Sequence, residues 1–212
     1  MTIGILGAGR MGLTLARLFL DAGHPVLLAN SRGPSTLAAQ VAALPPNAAA
    51  ARREDLVRRT DVVVLATPWD RTAAAVDGLG PWDGRIVVDT TNNRFGPRPE
   101  QVYDLGGRGS SEVVAELLPG ARVVKAFNHQ PFATLGLELG TAPTERNALF
   151  VAGDDAAAKE TVAQLIRDIG GEPIDTGGLR DGGRLQSTGG PLAGHGRLLT
   201  PSEARALLAS AR

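Results

Sequence analysis

Short apolar runs alternate along this chain with stretches of helical spacing. The runs are Thr2–Leu6, Pro25–Ala29, Val62–Ala66, Ile86–Asp89, Val123–Phe127 and Ala148–Ala152. Each is nearly continuous in Val, Ile, Leu and Ala, as strands covered on both faces are. Between the first two, Met11–Ala22 places Leu13, Ala16, Arg17 and Leu20 on nearby helical faces and stops at Gly23. Thr36–Ala43 predicts a second helix with Ser35 as its cap, and Ala156–Ile169 another, with Asp154 or Asp155 at its start and Gly170–Gly171 after it. Strands alternating with helices predict an α/β fold built on a doubly wound, mostly parallel sheet. Such sheets bind ligands beyond the carboxyl ends of their strands, where the strand order reverses.

One such end carries a motif. Gly7-Ala8-Gly9-Arg10-Met11-Gly12 follows the first strand and opens the first helix, and a second strand ends at Asn30-Ser31-Arg32. Strand, glycine turn, helix, strand and basic tip in this order form the dinucleotide fingerprint of a Rossmann sheet. Gly7 permits the tight turn, Gly9 lets the backbone approach a pyrophosphate, and Gly12 lets the helix pack close to the sheet. The amides at the helix start favour an anion, and Arg10 and Met11 are placed to cover phosphates. A carboxylate at the second strand tip would bind the ribose hydroxyls of NAD, but that position holds uncharged Asn30. Ser31 and Arg32 follow, and the planar guanidinium suits a 2'-phosphate. The expected cofactor is therefore NADP(H). The blander reading is an ordinary strand–helix turn followed by a solvated loop arginine.

The other strand ends offer Ala66-Thr67-Pro68-Trp69, Asp89-Thr90-Thr91-Asn92-Asn93 and Ala126-Phe127-Asn128-His129-Gln130-Pro131. Small and hydroxylated residues there let a nicotinamide ribose and ring approach the backbone. The expected cofactor contacts are thus Ala66, Thr67, Pro68, Trp69, Thr90, Asn92, Ala126, Phe127 and Asn128. Trp69 reads equally as a cleft wall or a core aromatic.

From about Gly171 the pattern changes. Glu172–Gly196 is rich in glycine and proline but punctuated by apolar residues, and a helical segment, Pro201–Ala211, follows. We expect an ordered loop that wraps the site. The domain reading is residues 1–170 as the NADP-binding domain and 171–212 as a C-terminal extension, in the same domain, that completes an acceptor site. The apolar tail and last helix suggest a homodimer.

Composition narrows the chemistry. Twenty-two basic and 22 acidic residues cancel, so no charge excess points to nucleic acid. There is no cysteine, which excludes a thiol nucleophile, a disulfide framework and a thiolate metal site. No apolar run approaches ~18 residues, and the first strand begins beside Met1, so the expectation is a cytoplasmic protein with no membrane partner. The three histidines lack metal-ligand spacing, and no metal is expected. His129, at a strand end, is the candidate acid or hydrogen-bond donor. Lys125 reads as a packed strand residue and Asp89 as a cap for the next turn. The site is rich in binding groups and poor in acid, base and nucleophile. That suits an acceptor that delocalises the incoming charge, a planar redox ring.

These motifs, with Val123-Val124-Lys125-Ala126-Phe127-Asn128 and Gly153-Asp154-Asp155, resemble the NADPH-dependent coenzyme F-420 reductases. These are the NADP:8-hydroxy-5-deazaflavin oxidoreductases, whose fold recurs in the cytosolic domain of metalloreductases. The resemblance spans roughly residues 2–192. It implies hydride transfer between NADPH and a deazaflavin, or a flavin, stacked on the nicotinamide. It also implies an acceptor pocket shaped by Asn128, His129, Pro131, Leu185, Gln186, Pro191 and Leu192. Two alternatives stay open: a short imine, pyrroline or β-hydroxyacid type of reductase, and a non-catalytic NADP(H)-binding redox sensor.

Overall fold

The computed structural model describes residues 1–96, 98, 100–138, 146–195, 197 and 199–211, with backbone alone for 136–138. Gly196, where the glycine-rich segment was predicted to end, and residues 198 and 212 of the predicted extension lie outside the described residues. The strands are β1 (Ile3–Leu6), β2 (Val26–Ala29), β3 (Ala48–Ala50), β4 (Val62–Leu65), β5 (Ile86–Asp89), β6 (Arg122–Ala126), β7 (Asn147–Gly153) and β8 (Gly171–Gly177). The helices are α1 (Arg10–Asp21), α2 (Ala38–Ala42), α3 (Arg53–Arg59), α4 (Trp69–Val76), α5 (Ser110–Leu117), α6 (Phe132–Glu138), α7 (Ala156–Asp168), α8 (Asp181–Leu185) and α9 (Pro201–Ser210).

Among the described residues, the eight strands form one sheet of order β3-β2-β1-β4-β5-β6-β7-β8. Every pairing is parallel except β6–β7. This is the expected doubly wound α/β sheet, and its order reverses between β1 and β4, whose carboxyl ends meet at Gly7 and Ala66. The strand period of two divides each run between the two faces. Ile3, Ile5, Val26, Leu28, Val62, Val64 and Val88 pack with Leu15 and Phe19 of α1. Leu6, Leu27, Val63, Leu65 and Val87 pack on the opposite face with Leu56, Trp82 and Val114.

Several elements were not legible in the apolar pattern. Strand β3 is three alanines, two of them only half-buried, too short and too weakly apolar to register as a run. It exists because it pairs in register with β2. The predicted helix Thr36–Ala43 divides into a 3-10 turn, Pro34–Leu37, and α2, and Ser35 makes no side-chain cap. At α7 the expected cap is present: the Asp155 carboxylate accepts from the Ala158 amide at 2.7 Å.

The sheet also runs past residue 170. Where a wrapping loop was expected, β8 pairs parallel with β7 and α8 follows. The glycines of this segment serve close packing rather than flexibility: a Cβ on Gly182 would collide with the Thr176 carbonyl group, and one on Gly190 with the Leu185 carbonyl oxygen. Helix α9 closes a third apolar cluster, burying Ala204 and Leu208 against Phe150, Ile174 and Leu192. A capping box starts it, with Thr200 and Glu203 satisfying each other's backbone amides. No described helix is long and apolar enough to cross a membrane.

Candidate functional site

The glycine turn is built by steric necessity. Gly7 sits at φ +118°, in the left-handed region, and a Cβ there would strike the Ala66 carbonyl at the end of β4. A Cβ on Gly12 would strike the Gly7 carbonyl oxygen, so α1 can approach β1 only with glycine at that position. Gly9 differs: the space beside its Cα is open. It is the N-cap of α1, which has no side-chain cap and no acidic residue in its first turn. An open cradle at an uncapped twelve-residue helix fits a pyrophosphate, which the exposed amides can bind.

Beside this turn lies a cleft of about 340 Å³. Gly9, Arg10 and Met11 line it from α1, with Ala66, Thr67, Pro68 and Trp69 from the β4–α4 turn. Thr90, Thr91, Asn92 and Arg94 line it from the segment after β5. Nine of these residues were expected from the sequence. Thr91, within the strand-end run but not picked out of it, and Arg94 were not, because the segment after β5 has no regular pattern to rank its residues. Two of the three threonine hydroxyls are spent on the framework: Thr67 bonds Thr72 at 2.9 Å, and Thr90 donates to the Leu65 carbonyl at 2.9 Å, while the buried Thr91 hydroxyl has no partner among the described residues. Arg10 lies over the Phe132 ring, its Cζ 5.4 Å from the ring centroid.

On the other side of the turn, Asn30, Ser31, Arg32, Gly33, Pro34, Arg52, Arg53 and Glu54 line a second cleft of about 320 Å³. Asn30 does not reach outward. Its Oδ1 accepts from the Arg32 amide at 2.9 Å and its Nδ2 donates to Thr36 Oγ1 at 2.9 Å, which shapes the loop and presents Ser31 and Arg32 to solvent. The sequence tip holds no carboxylate, but the fold brings Glu54 to it. That charge is matched by Arg53, whose Nε lies 3.0 Å from Glu54 Oε1. The backbone amide of Glu54, then Arg53, hold its carboxyl below the usual carboxylate range.

The end of β6 departs from expectation. Ala126 and Phe127, read as cofactor contacts, are fully buried in the main core. Phe127 packs edge-on against Phe19 with centroids 6.2 Å apart, so both side chains support the site from behind. Asn128 is a strut: it donates to the Gln186 carbonyl at 2.7 Å, and its own carbonyl accepts from Asn92 Nδ2 at 2.8 Å. His129 is 4% exposed, packs on Phe150 with ring centroids 4.9 Å apart, and has no hydrogen-bond partner for either ring nitrogen. Burial, with smaller effects from His195 and Lys125, pushes its pKa down to about 3. A ring that is neutral at pH 7 has no proton to donate as an imidazolium, which corrects its expected role as an acid.

Lys125 is fully buried, and its Nζ donates to Ser110 at 2.9 Å and Ser111 at 3.0 Å, 3.6 Å from Asp89 Oδ2. Burial lowers its pKa against the opposing pull of Asp89. Asp89 also accepts from the Thr91 amide at 2.8 Å, as a turn cap does. Of the residues expected to shape an acceptor pocket, Pro131 and Pro191 are exposed and Leu185 is half-buried. Gln186 and Leu192 are fully enclosed, Leu192 inside the third apolar cluster, so neither presents its side chain to a ligand in this conformation.

Comparison with known proteins agrees with this geometry. Residues 2–93 match the family described as NADP oxidoreductase, coenzyme F420-dependent. A hypothetical protein of Sinorhizobium meliloti is 40% identical, with a TM-score of 0.86 over 94% of this chain and 95% of that one. A provisionally named F420-dependent NADP reductase of Arthrobacter sp. FB24 is 31% identical, with a TM-score of 0.73 over 84% of this chain and 86% of that one. The metalloreductase STEAP3 of Rattus norvegicus is 30% identical over 178 residues, which is 84% of this chain; the chain spans about a third, 34%, of that curated relative. A glycine cradle shaped for a dinucleotide, a basic second-strand tip and these likenesses together place the chain in the family of coenzyme F420-dependent NADP oxidoreductases.

Proposed function

We propose that this protein moves a hydride between NADPH and a planar redox ring, a deazaflavin of the coenzyme F-420 type or a flavin. The observation that carries the reading is the chemistry of the cleft beside the glycine turn, opposite the basic tip. Its walls are alanine, threonine, proline, tryptophan, methionine and asparagine side chains with two arginines, and among the described residues no carboxylate, lysine or histidine lines it. The histidine at the end of β6 is enclosed and neutral. Reduction of a ketone needs a proton donor for the nascent alkoxide. A conjugated ring spreads the incoming electron pair over its own atoms and needs mainly alignment.

When bound, NADPH supplies the hydride from its nicotinamide ring. The protein residues would hold and orient it. The α1 amides at Gly9–Met11 would take the pyrophosphate, and Ser31 and Arg32 the 2'-phosphate. Thr67, Pro68, Trp69, Thr90 and Asn92 would wall the nicotinamide end, with Asn128 bracing Asn92 from behind. Exclusion of water at that end falls to Pro68 and Trp69, which stand at the start of α4.

The test is stopped-flow mixing of NADPH with a deazaflavin or a flavin, followed by loss of nicotinamide absorbance. Turnover with either ring supports the reading. Tight NADPH binding with no turnover on either ring would replace it with a redox sensor.

A further inference from the structure

The second cleft holds more positive charge than the strand tip alone supplies. Strands β2 and β3 run parallel with Leu28 opposite Ala50, and the Ala51 amide donates to the Leu28 carbonyl at 2.9 Å. This register carries the chain from Ala51 to Arg52 alongside Asn30–Arg32, and both tips line the same cleft. We propose that Arg52 is a second cation for the 2'-phosphate of NADP(H) and a determinant of its preference over NAD(H). The inference rests on the dinucleotide site and is independent of which ring accepts the hydride.

Three arginines and one glutamate line this cleft. Arg53 is committed elsewhere: it pairs with Glu54 and donates to the Ala74 carbonyl at 3.0 Å, which ties it to α4. Arg32 and Arg52 are both exposed, and neither makes an ion pair among the described residues. With three arginines against one glutamate, the lining carries a net charge of two positive, matching the roughly −1.5 to −2 of a phosphate monoester at neutral pH. Two guanidiniums from the segments that follow two neighbouring strands can grip a tetrahedral phosphate, each through charge-assisted bonds. A free 2'-hydroxyl gains nothing from either, so the second arginine acts on the choice between cofactors rather than on dinucleotide affinity in general. Asn30 is turned inward onto its own loop, its side chain bonded to Thr36 and the Arg32 amide.

The experiment measures dissociation constants of NADPH and NADH by nucleotide fluorescence, with no acceptor present, for the natural chain, Arg52→Ala and Arg52→Lys. We expect Arg52→Ala to weaken NADPH about tenfold or more, from the loss of one charge-assisted contact. NADH should change less than about twofold, which also shows that the variant is folded. Arg52→Lys should fall between, since an ammonium keeps the charge but loses the fork. An NADPH constant within twofold of the natural chain, or an equal loss for both nucleotides, overturns the proposal. Failure of the acceptor reading looks different: NADPH binds tightly and is not oxidised.

Discussion

Lys125 and Asp89 are register partners on β6 and β5, both without solvent exposure, with Nζ 3.6 Å from Oδ2. The pair sits one residue below the cleft wall. Asp89 accepts from the Thr91 amide and the Ser111 hydroxyl, while Lys125 also donates to the Thr91 carbonyl at 3.3 Å. Two buried charges thus fix the turn that presents Thr90, Thr91 and Asn92 to the site.

Removing one partner leaves the other charge buried alone, at a cost of about 3–5 kcal/mol. Lys125→Met should lose on that order in urea unfolding, and Lys125→Met with Asp89→Asn should recover much of the loss. A single variant within about 1 kcal/mol of the natural chain would mean that the pair contributes no more than a surface contact.

His129 ties stability to pH. Its pKa is about 3 in the folded protein against 6.5 for the free side chain. Between those values the unfolded chain binds the extra proton, so stability rises with pH and is lost as pH falls from 6.5 toward 3. The slope is about 1.4 kcal/mol per pH unit. His129→Phe should flatten the unfolding free energy across this window. An unchanged slope in the variant would show that the histidine is protonated in the folded state.

The glycines of the turn should separate by kind. Gly12→Ala drives a methyl into the Gly7 carbonyl oxygen, so both melting temperature and NADPH affinity should fall. Gly9→Ala meets open space in the protein, so stability should stay within about 0.5 kcal/mol while NADPH affinity falls. A Gly9→Ala variant that binds NADPH normally would move the pyrophosphate away from this turn.

Arg32→Ala should raise the NADPH Michaelis constant by about tenfold or more and leave NADH nearly unchanged, through loss of a charge-assisted phosphate contact. Equal effects on both nucleotides would remove Arg32 from the 2'-phosphate. Combined with Arg52→Ala, the double variant should bring the two cofactors close to parity.

Much of the nucleotide side of the site was legible because it is decided by neighbours in sequence. The spacing of Gly7, Gly9 and Gly12 follows from backbone sterics within one turn, and the missing acid at Asn30 lies one residue past a strand. The tail was read as ordered and its last helix was found, but β8 and α8 within it were taken for a loop. Gly182 and Gly190 give no apolar pattern, yet they admit the carbonyls of Thr176 and Leu185.

The sequence by itself determined the α/β class, the mostly parallel sheet, the glycine turn and the basic tip after β2 that we assign to the 2'-phosphate. Only the tertiary structure decided which groups keep their charge and where they meet. Burial against Phe150, on strand β7, makes His129 neutral. The pairing of β2 with a strand of three alanines brings Arg52 and Glu54 to the cleft lined by Asn30, Ser31 and Arg32. Both outcomes depend on residues distant along the chain, which hydrophobic periodicity cannot register because it reports only on near neighbours.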